Sequence, residues 1–109
     1  MRRVDEAVRQ VLSDALTTAL KDPRIGFVTV TDVRTSPDLR HATVYVSVLG
    51  DDNQRAESLD GLRAAQGYLQ GRVASQLRLK YTPSLTFEYD DTTDRVLRLE
   101  ELLHQEDDA

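Results

Sequence analysis

Apolar residues near the start of the chain recur at spacings of three and four positions. This row consists of Val4, Val8, Val11, Leu12, Ala15, Ala19 and Leu20. Because side chains at such spacings lie on one side of an α-helix, the pattern predicts an amphipathic helix from Val4 to Leu20. Asp22-Pro23 marks its end, since the residue before a proline is disfavoured in the helical conformation.

The next segment has the composition and alternation of two β-strands. Residues 25–33 are rich in β-branched side chains, and polar and apolar residues alternate from His41 to Val48. Ser36-Pro37-Asp38 is a turn signal between the two runs. The sequence therefore predicts two strands that pair with each other in an antiparallel manner.

Helical spacing returns after a break at residues 50–53. The positions in the helical row are Leu59, Leu62, Ala65 or Gln66, Leu69, Val73 and Leu77. Residues 64–67 interrupt this row with small side chains, which predicts two helices joined at a kink. Alternation at residues 85–89 then predicts a third strand, and the spacing from Asp94 to Leu103 predicts a last short helix.

The predicted order is helix, strand, strand, helix, kink, helix, strand, helix. This order favours an α+β fold in which a three-stranded sheet carries its helices on one face. The chain has 109 residues, of which 29 are Leu, Ile, Val or Phe, so it is expected to form one domain with its own core. We place that domain at residues 1–104 and expect residues 105–109 to be an acidic, disordered tail.

The formal net charge of −5 is distributed unevenly along the chain. Residues 88–109 carry −7, so residues 1–87 carry +2. No acidic residue lies between Asp60 and Glu88, where the cations are Arg63, Arg72, Arg78 and Lys80. A partner responds to the local field, so the total charge does not exclude an anionic partner for the stretch from Gly61 to Phe87, which we call the basic stretch.

The sequence gives little support for a disulfide-bonded, membrane or secreted protein. The chain has no cysteine, which suits a reducing compartment and makes the cytoplasm the default location. No apolar run reaches the roughly 18 residues that span a bilayer, and the first residues lack the apolar core of a signal peptide. We therefore expect no membrane partner and no disulfide.

Candidate catalytic groups are sparse. The carboxylate pairs Asp51-Asp52 and Asp90-Asp91 are adjacent in sequence, so their side chains are expected to point apart as solvated turn and strand-end acids. His41 and His104 are far apart and lack the spacing of zinc ligands, so each is interpreted as a surface histidine. We expect no metal, no cofactor and no catalytic residue.

The basic stretch combines cations, small residues and two tyrosines. Of the 14 basic residues in the chain, 12 are arginine, whose planar guanidinium forms forked contacts to phosphate and stacks on unpaired bases. One interpretation is an RNA-binding surface, and the other is a solvated helix face that keeps the protein in solution. Composition leaves both open. Tyr68 and Tyr81, taken singly, fit the edge of a core better than base stacking.

Two long motifs resemble one protein family. The first runs from Lys21-Asp22-Pro23-Arg24-Ile25-Gly26-Phe27 through the strand Ala42-Thr43-Val44-Tyr45-Val46-Ser47-Val48, and the second is Leu77-Arg78-Leu79-Lys80-Tyr81-Thr82-Pro83-Ser84-Leu85-Thr86-Phe87. These motifs resemble those of the ribosome-binding factor A family. The resemblance extends from about Val4 to Leu103, which is nearly the whole chain. The resemblance implies a KH-like fold of type II, in the element order already given by the periodicity.

The resemblance also implies which residues meet RNA. Ordinary KH domains hold the nucleic-acid backbone with a Gly-x-x-Gly loop, whereas this family has an Ala-x-Gly kink, present here as Ala65-Gln66-Gly67. We interpret Gly67 as the source of backbone freedom at the kink and Ala65 as small enough to let RNA approach. The predicted RNA-binding residues are Arg63, Ala65, Gly67, Arg72, Arg78 and Lys80.

The function implied by the resemblance is that of a cytoplasmic, monomeric assembly factor without catalytic residues. It would bind the free small (30S) ribosomal subunit, assist late maturation and 5′-end processing of 16S rRNA, and take part in cold adaptation. Two alternatives stay open: a module that docks a basic ribosomal protein through the acidic residues 88–109 or a sheet edge, and a small hydrolase or metal enzyme built from the carboxylates.

Overall fold

Helices and strands follow one another along the chain in the predicted order. The computed structural model describes residues 2–18, 23–92 and 99–103. The elements are α1 (Arg2–Thr18), β1 (Val28–Thr35), β2 (His41–Val48), α2 (Asp52–Ala64), α3 (Gln66–Gln76) and β3 (Ser84–Tyr89). Residues 99–103 are also helical. The α+β class and the kinked helix pair are confirmed.

The sheet is mixed, with the strands in the order β1-β2-β3. β1 and β2 pair in the antiparallel manner that the alternation predicted. β3 runs parallel to β2. Two neighbouring parallel strands require a long crossover, which here consists of α2 and α3. This arrangement confirms the KH-like fold that the resemblance implied.

The helices cover one face of the sheet, as predicted. Inward-facing side chains from all three strands pack against those of α1, α2 and α3 in one core. Burying such apolar side chains contributes roughly 25 cal/mol per Å² of surface removed from water. The buried hydrophobic residues of this core include Val8, Val11, Leu12, Ala15, Val30, Val33, Ala42, Val44, Val46, Val48, Leu62, Leu69, Val73, Leu85 and Phe87.

β1 begins three residues later than the apolar run that predicted it. Before the strand, the backbone is tied to α2 by the buried Ser58, whose hydroxyl accepts from Gly26 N (3.3 Å) and donates to Arg24 O (3.4 Å). Ile25 packs against the core close to Gly61 of α2. These contacts hold residues 24–26 against a helix, so they do not extend the sheet.

A bulge in β1 changes which residues face the core. The register with β2 shifts between Val30 and Asp32, which leaves Thr31 as the additional residue. Val30 and Val33 both point inward although three positions separate them. An extra residue reverses the two-residue alternation of a strand, and this accounts for the spacing.

The start of α2 lies inside the segment that was interpreted only as a break. The Asp51 carboxylate accepts from Gln54 N (2.8 Å), and the Gln54 side-chain oxygen accepts from Asp51 N (2.8 Å). This reciprocal arrangement is a capping box, which satisfies two backbone donors at the helix start. The helix therefore begins at Asp52, seven residues before Leu59.

Some predictions fall on residues outside the described part of the chain. These are Ala19, Leu20 and Asp22 at the end of the first helix, residues 94–98 of the terminal helix, His104, and the acidic tail at 105–109. Among the helices of residues 2–18, 23–92 and 99–103, none combines the length and the apolar composition that crossing a membrane requires.

Candidate RNA interface

The kink between α2 and α3 lies at Ala65. Its backbone angles are φ −89° and ψ 5°, and its N–H donates to Gly61 O (3.0 Å) and Leu62 O (3.1 Å). Its carbonyl accepts from Leu69 N at 3.0 Å, which begins the hydrogen bonding of α3. Ala65 is half-buried and packs against the core. A small residue here therefore serves the packing of the kink.

Gly67 does not provide the backbone freedom that the sequence suggested. It is the second residue of α3 with ordinary helical backbone, and within the described chain only Gly50 is a glycine with a positive φ. A Cβ atom added at Gly67 would meet no other atom within 4 Å. Neither backbone strain nor packing requires glycine at this position, so the space in front of it is open to a ligand.

Side chains of the kinked pair cap the outer edge of β3, which is an edge strand. Arg63 Nη2 donates to Phe87 O (3.2 Å), Gln66 Nε2 donates to Leu85 O, and Gln70 Oε1 accepts from Leu85 N (3.0 Å). Gln66 also donates to Gln70 (3.0 Å). We call Arg63, Gln66 and Gln70 the edge-capping side chains. They satisfy backbone groups that would otherwise be available to another strand.

This role changes the interpretation of Arg63. The sequence suggested only an RNA contact, whereas the structure fixes one end of the guanidinium on the sheet. A guanidinium has five N–H donors, so donation to Phe87 O leaves others for a ligand. Arg63 is thereby held in one orientation on the exposed side of α2.

The other three predicted cations lie further along the chain. Arg72 is half-buried in α3, and its Nη2 and Nε donate to the suitably oriented amide oxygen of Gln76 at 3.0 and 3.2 Å. Arg78 is exposed just after the helix, and Lys80 is exposed with Nζ 5.5 Å from the centre of the Tyr81 ring.

The six predicted residues do not converge on one point. Arg63 is anchored beside Phe87, well inside β3, whereas Lys80 lies before that strand begins. Among the described residues, no carboxylate forms an ion pair with Arg63, Arg72, Arg78 or Lys80. The surface is therefore an extended row of cations whose charge is not neutralised by direct contact.

Sequence reasoning missed Arg40. Tyr68 and Tyr81 are 45% and 42% exposed, so part of each side chain is open to solvent. The Arg40 guanidinium carbon lies 4.8 Å from the centre of the Tyr81 ring. Parallel pairing, which sets His41 opposite Ser84, brings the start of β2 beside the loop before β3. Only that pairing connects Arg40 with the basic stretch.

The acidic pairs have structural partners. Asp51 caps α2, and Asp90 accepts from the hydroxyl of Thr31 at 2.7 Å and from Thr92 N at 3.0 Å. Within the residues that the structure describes, no group of three or more histidine, cysteine or acidic side chains is placed to hold a metal ion. The observed contacts of these acids are those of turns and helix ends.

The mixed three-stranded sheet, the helix pair kinked at Ala65 and the adjoining row of cations define a KH-like α+β domain. Residues 1–103 match the family model of ribosome-binding factor A. The chain belongs to the ribosome-binding factor A family. It is 45% identical over 102 residues to ribosome-binding factor A of Halothermothrix orenii, an alignment that covers 94% of this chain and 84% of the relative.

Solved structures give the same assignment. The crystal structure of ribosome-binding factor A from Thermus thermophilus is similar with a TM-score of 0.72 at 27% identity, covering 81% of this chain and 93% of that one. A homology model of the Thermus thermophilus factor, fitted into the cryo-EM map of a 30S–RbfA complex, is similar with a TM-score of 0.67 at 28% identity. That match covers 79% of this chain and 90% of the other.

Proposed function

We propose that this chain binds the free small (30S) ribosomal subunit and contacts 16S rRNA. The observation that carries the proposal is membership of the ribosome-binding factor A family, together with the likeness to a relative fitted into a map of a 30S–RbfA complex. The rRNA-binding surface of the proposal comprises Arg63, Ala65, Gly67, Arg72, Arg78 and Lys80.

The chemistry of that surface suits a phosphate backbone. Arg72, Arg78 and Lys80 supply positive charge that no described carboxylate pairs with, and Arg63 has donors beyond the one given to Phe87. Forked guanidinium contacts fit phosphate oxygens well. The open space at Gly67 lets an RNA backbone come close to the start of α3.

The mechanism in this proposal is binding without catalysis. A protein that binds one conformation of immature rRNA more tightly than the others shifts the population toward it. Late maturation and 5′-end processing of 16S rRNA would then be carried out by separate nucleases on the favoured conformation. We propose that residues 1–104 act in this way as a cytoplasmic monomer, including under cold stress. The acidic residues 105–109 lie outside the RNA-binding domain of this proposal.

Cosedimentation with purified small subunits tests the proposal. The double variant Arg72→Glu/Arg78→Glu reverses two charges on the proposed surface and is expected to lose binding. Arg9→Glu/Arg34→Glu is the control, because both of its positions lie outside that surface and it changes the net charge by the same amount. Since Arg9 and Arg34 form ion pairs with Glu6 and Asp32, urea denaturation first checks that this variant is folded. Equal binding by the two double variants would rule out this surface.

The salt dependence of binding tests the phosphate contacts separately. If three or four phosphates are contacted, log K should fall with log salt at a slope of roughly −0.7 to −0.9 per phosphate. A flat response contradicts the arginine–phosphate mechanism. Binding to ribosomal proteins that persists after the RNA has been removed would instead favour the protein-docking alternative.

A further inference from the structure

A second group of cations lies around a tyrosine at the beginning of β2 and β3. There a hollow of about 530 Å³ is lined by Arg40, His41, Lys80, Tyr81 and Thr82. We call it the Tyr81 hollow. Of its lining residues, only Lys80 belongs to the proposed rRNA surface. The parallel pairing of β2 with β3 brings the remaining residues beside it.

Two positive charges lie close to the Tyr81 ring. The guanidinium carbon of Arg40 is 4.8 Å from the ring centre, and Nζ of Lys80 is 5.5 Å from it. The tyrosine is 42% exposed. Neither cation forms an ion pair with a carboxylate in the described part of the chain. Positive charge and an aromatic surface are therefore offered to solvent at the same place.

A hydrogen-bonded turn holds the backbone of Arg40. Ser36 N donates to His41 O (2.8 Å), and Leu39 adopts a positive φ of 61° between them. The Asp38 carboxylate accepts from the Ser36 hydroxyl (2.6 Å) and from Arg40 N (3.1 Å), and these bonds lower the pKa of Asp38. A backbone ordered before binding reduces the entropy lost when a ligand binds.

We propose that the Tyr81 hollow binds one unpaired nucleotide of single-stranded RNA, with its phosphate held by Arg40 and Lys80 and its base stacked on Tyr81. A base stacks on an aromatic ring whatever its identity, and a base inside a duplex has no free face to offer. An acidic peptide would use the cations but leave the ring without a stacking partner. The inference rests on the proposed function and adds a single-stranded rRNA segment to it.

The stacking contact is tested with the full chain and a labelled oligouridylate of about eight nucleotides. Tyr81→Ala is expected to weaken binding about 5- to 150-fold, whereas Tyr81→Phe keeps the ring and should bind almost as the wild type does. Tyr68→Ala removes the other half-exposed tyrosine of the basic stretch and should have no effect. An abasic oligomer of equal length should bind wild type and Tyr81→Ala equally.

The phosphate contact is tested by the salt dependence of the same binding. Arg40→Ala/Lys80→Ala should make the slope of log K against log salt shallower by about 0.7, the value for one phosphate of a single strand. The control for Arg40 is Arg34→Ala, because Arg34 also lies over a tyrosine, 5.9 Å from the centre of Tyr45. That control should keep the wild-type slope.

Three outcomes overturn the inference. The first is that the wild type does not bind the oligonucleotide, and the second is that Tyr81→Ala and Arg40→Ala/Lys80→Ala bind it as the wild type does. The third is that Tyr81→Ala loses binding to small subunits but keeps its affinity for the oligonucleotide, which would place a protein at the hollow. The proposed function is decided separately, by whether wild type cosediments with small subunits.

Discussion

The two helices of the kinked pair both contain glycine, but in different surroundings. Gly61 of α2 is buried, and a Cβ added to it would lie 2.7 Å from Ile25 Cγ1 and 3.4 Å from Arg24 Cβ. Gly67 and Gly71 of α3 are exposed, and a Cβ added to either would meet nothing within 4 Å. Packing therefore requires glycine in α2, whereas packing does not require it in α3.

This difference separates two kinds of reason for a helical glycine. In a helix interior, glycine lowers stability by about 1 kcal/mol relative to alanine. For Gly61 the compensating benefit is the close approach of residues 24–26 to α2. For Gly67 the structure shows no internal benefit, and the proposed RNA contact supplies an external one.

The largest effect is expected from Gly61→Leu. A leucine side chain would overlap Ile25 and force α2 away from the preceding segment, so the free energy of unfolding should fall by about 3 kcal/mol. Urea denaturation measures this loss. In an Ile25→Ala background the loss should be smaller, because the two positions share the same space. A change within about 0.5 kcal/mol in the wild-type background would contradict the packing argument.

Gln70→Leu tests the contribution of α3 to the sheet edge. It keeps a side chain of similar size but removes the acceptor for Leu85 N, so stability should fall by about 1–2 kcal/mol. The matched control is Gln76→Leu, because Gln76 lies on the same helix and its partner is the side chain of Arg72. Equal losses in the two variants would show that the edge contact contributes nothing of its own.

Asp51→Ala tests the start of α2. It removes the acceptor of the capping box, and stability is expected to fall by about 1 kcal/mol in thermal or urea unfolding. Asp51→Asn should retain most of that stability, since an amide oxygen also caps well. If both variants lost the same amount, the charge of Asp51 would be responsible and its hydrogen bond would not.

The smallest effects are expected from Gly67→Ala and Gly71→Ala. Each should raise the free energy of unfolding by about 0.5–1 kcal/mol, because alanine favours the helix and has open space in α3. Binding to small subunits distinguishes the two. Gly67→Ala should weaken it and Gly71→Ala should leave it unchanged, since only Gly67 belongs to the proposed surface. Equal binding would remove Gly67 from that surface.

Local patterns predicted most of the fold because they reflect local physics. The alternation from Ala42 to Val48 gives the inward face of β2, and the small residues at 64–67 give the kink. The bulge at Thr31 and the late start of β1 were not predictable in this way. Both depend on contacts with residues distant in sequence, such as Ser58.

The candidate site was less accessible to sequence reasoning. The charge pattern finds Arg72, Arg78 and Lys80, since they lie together in an acid-free segment. It does not find Arg40, which precedes a different strand and reaches Tyr81 only through the parallel pairing of β2 with β3. Nor does it find that Arg63 is bonded to the sheet, because that contact depends on how the helices pack.

The edge-capping side chains make the protection of the β3 edge depend on the folding of α3. Gln66 and Gln70 are on α3, so local opening of this helix withdraws both at once from Leu85. Local openings of this kind occur with less free energy than global unfolding. The uncovered strand would present backbone donors and acceptors to a second molecule. Local opening of α3 would therefore expose part of an edge strand that the closed helix keeps covered.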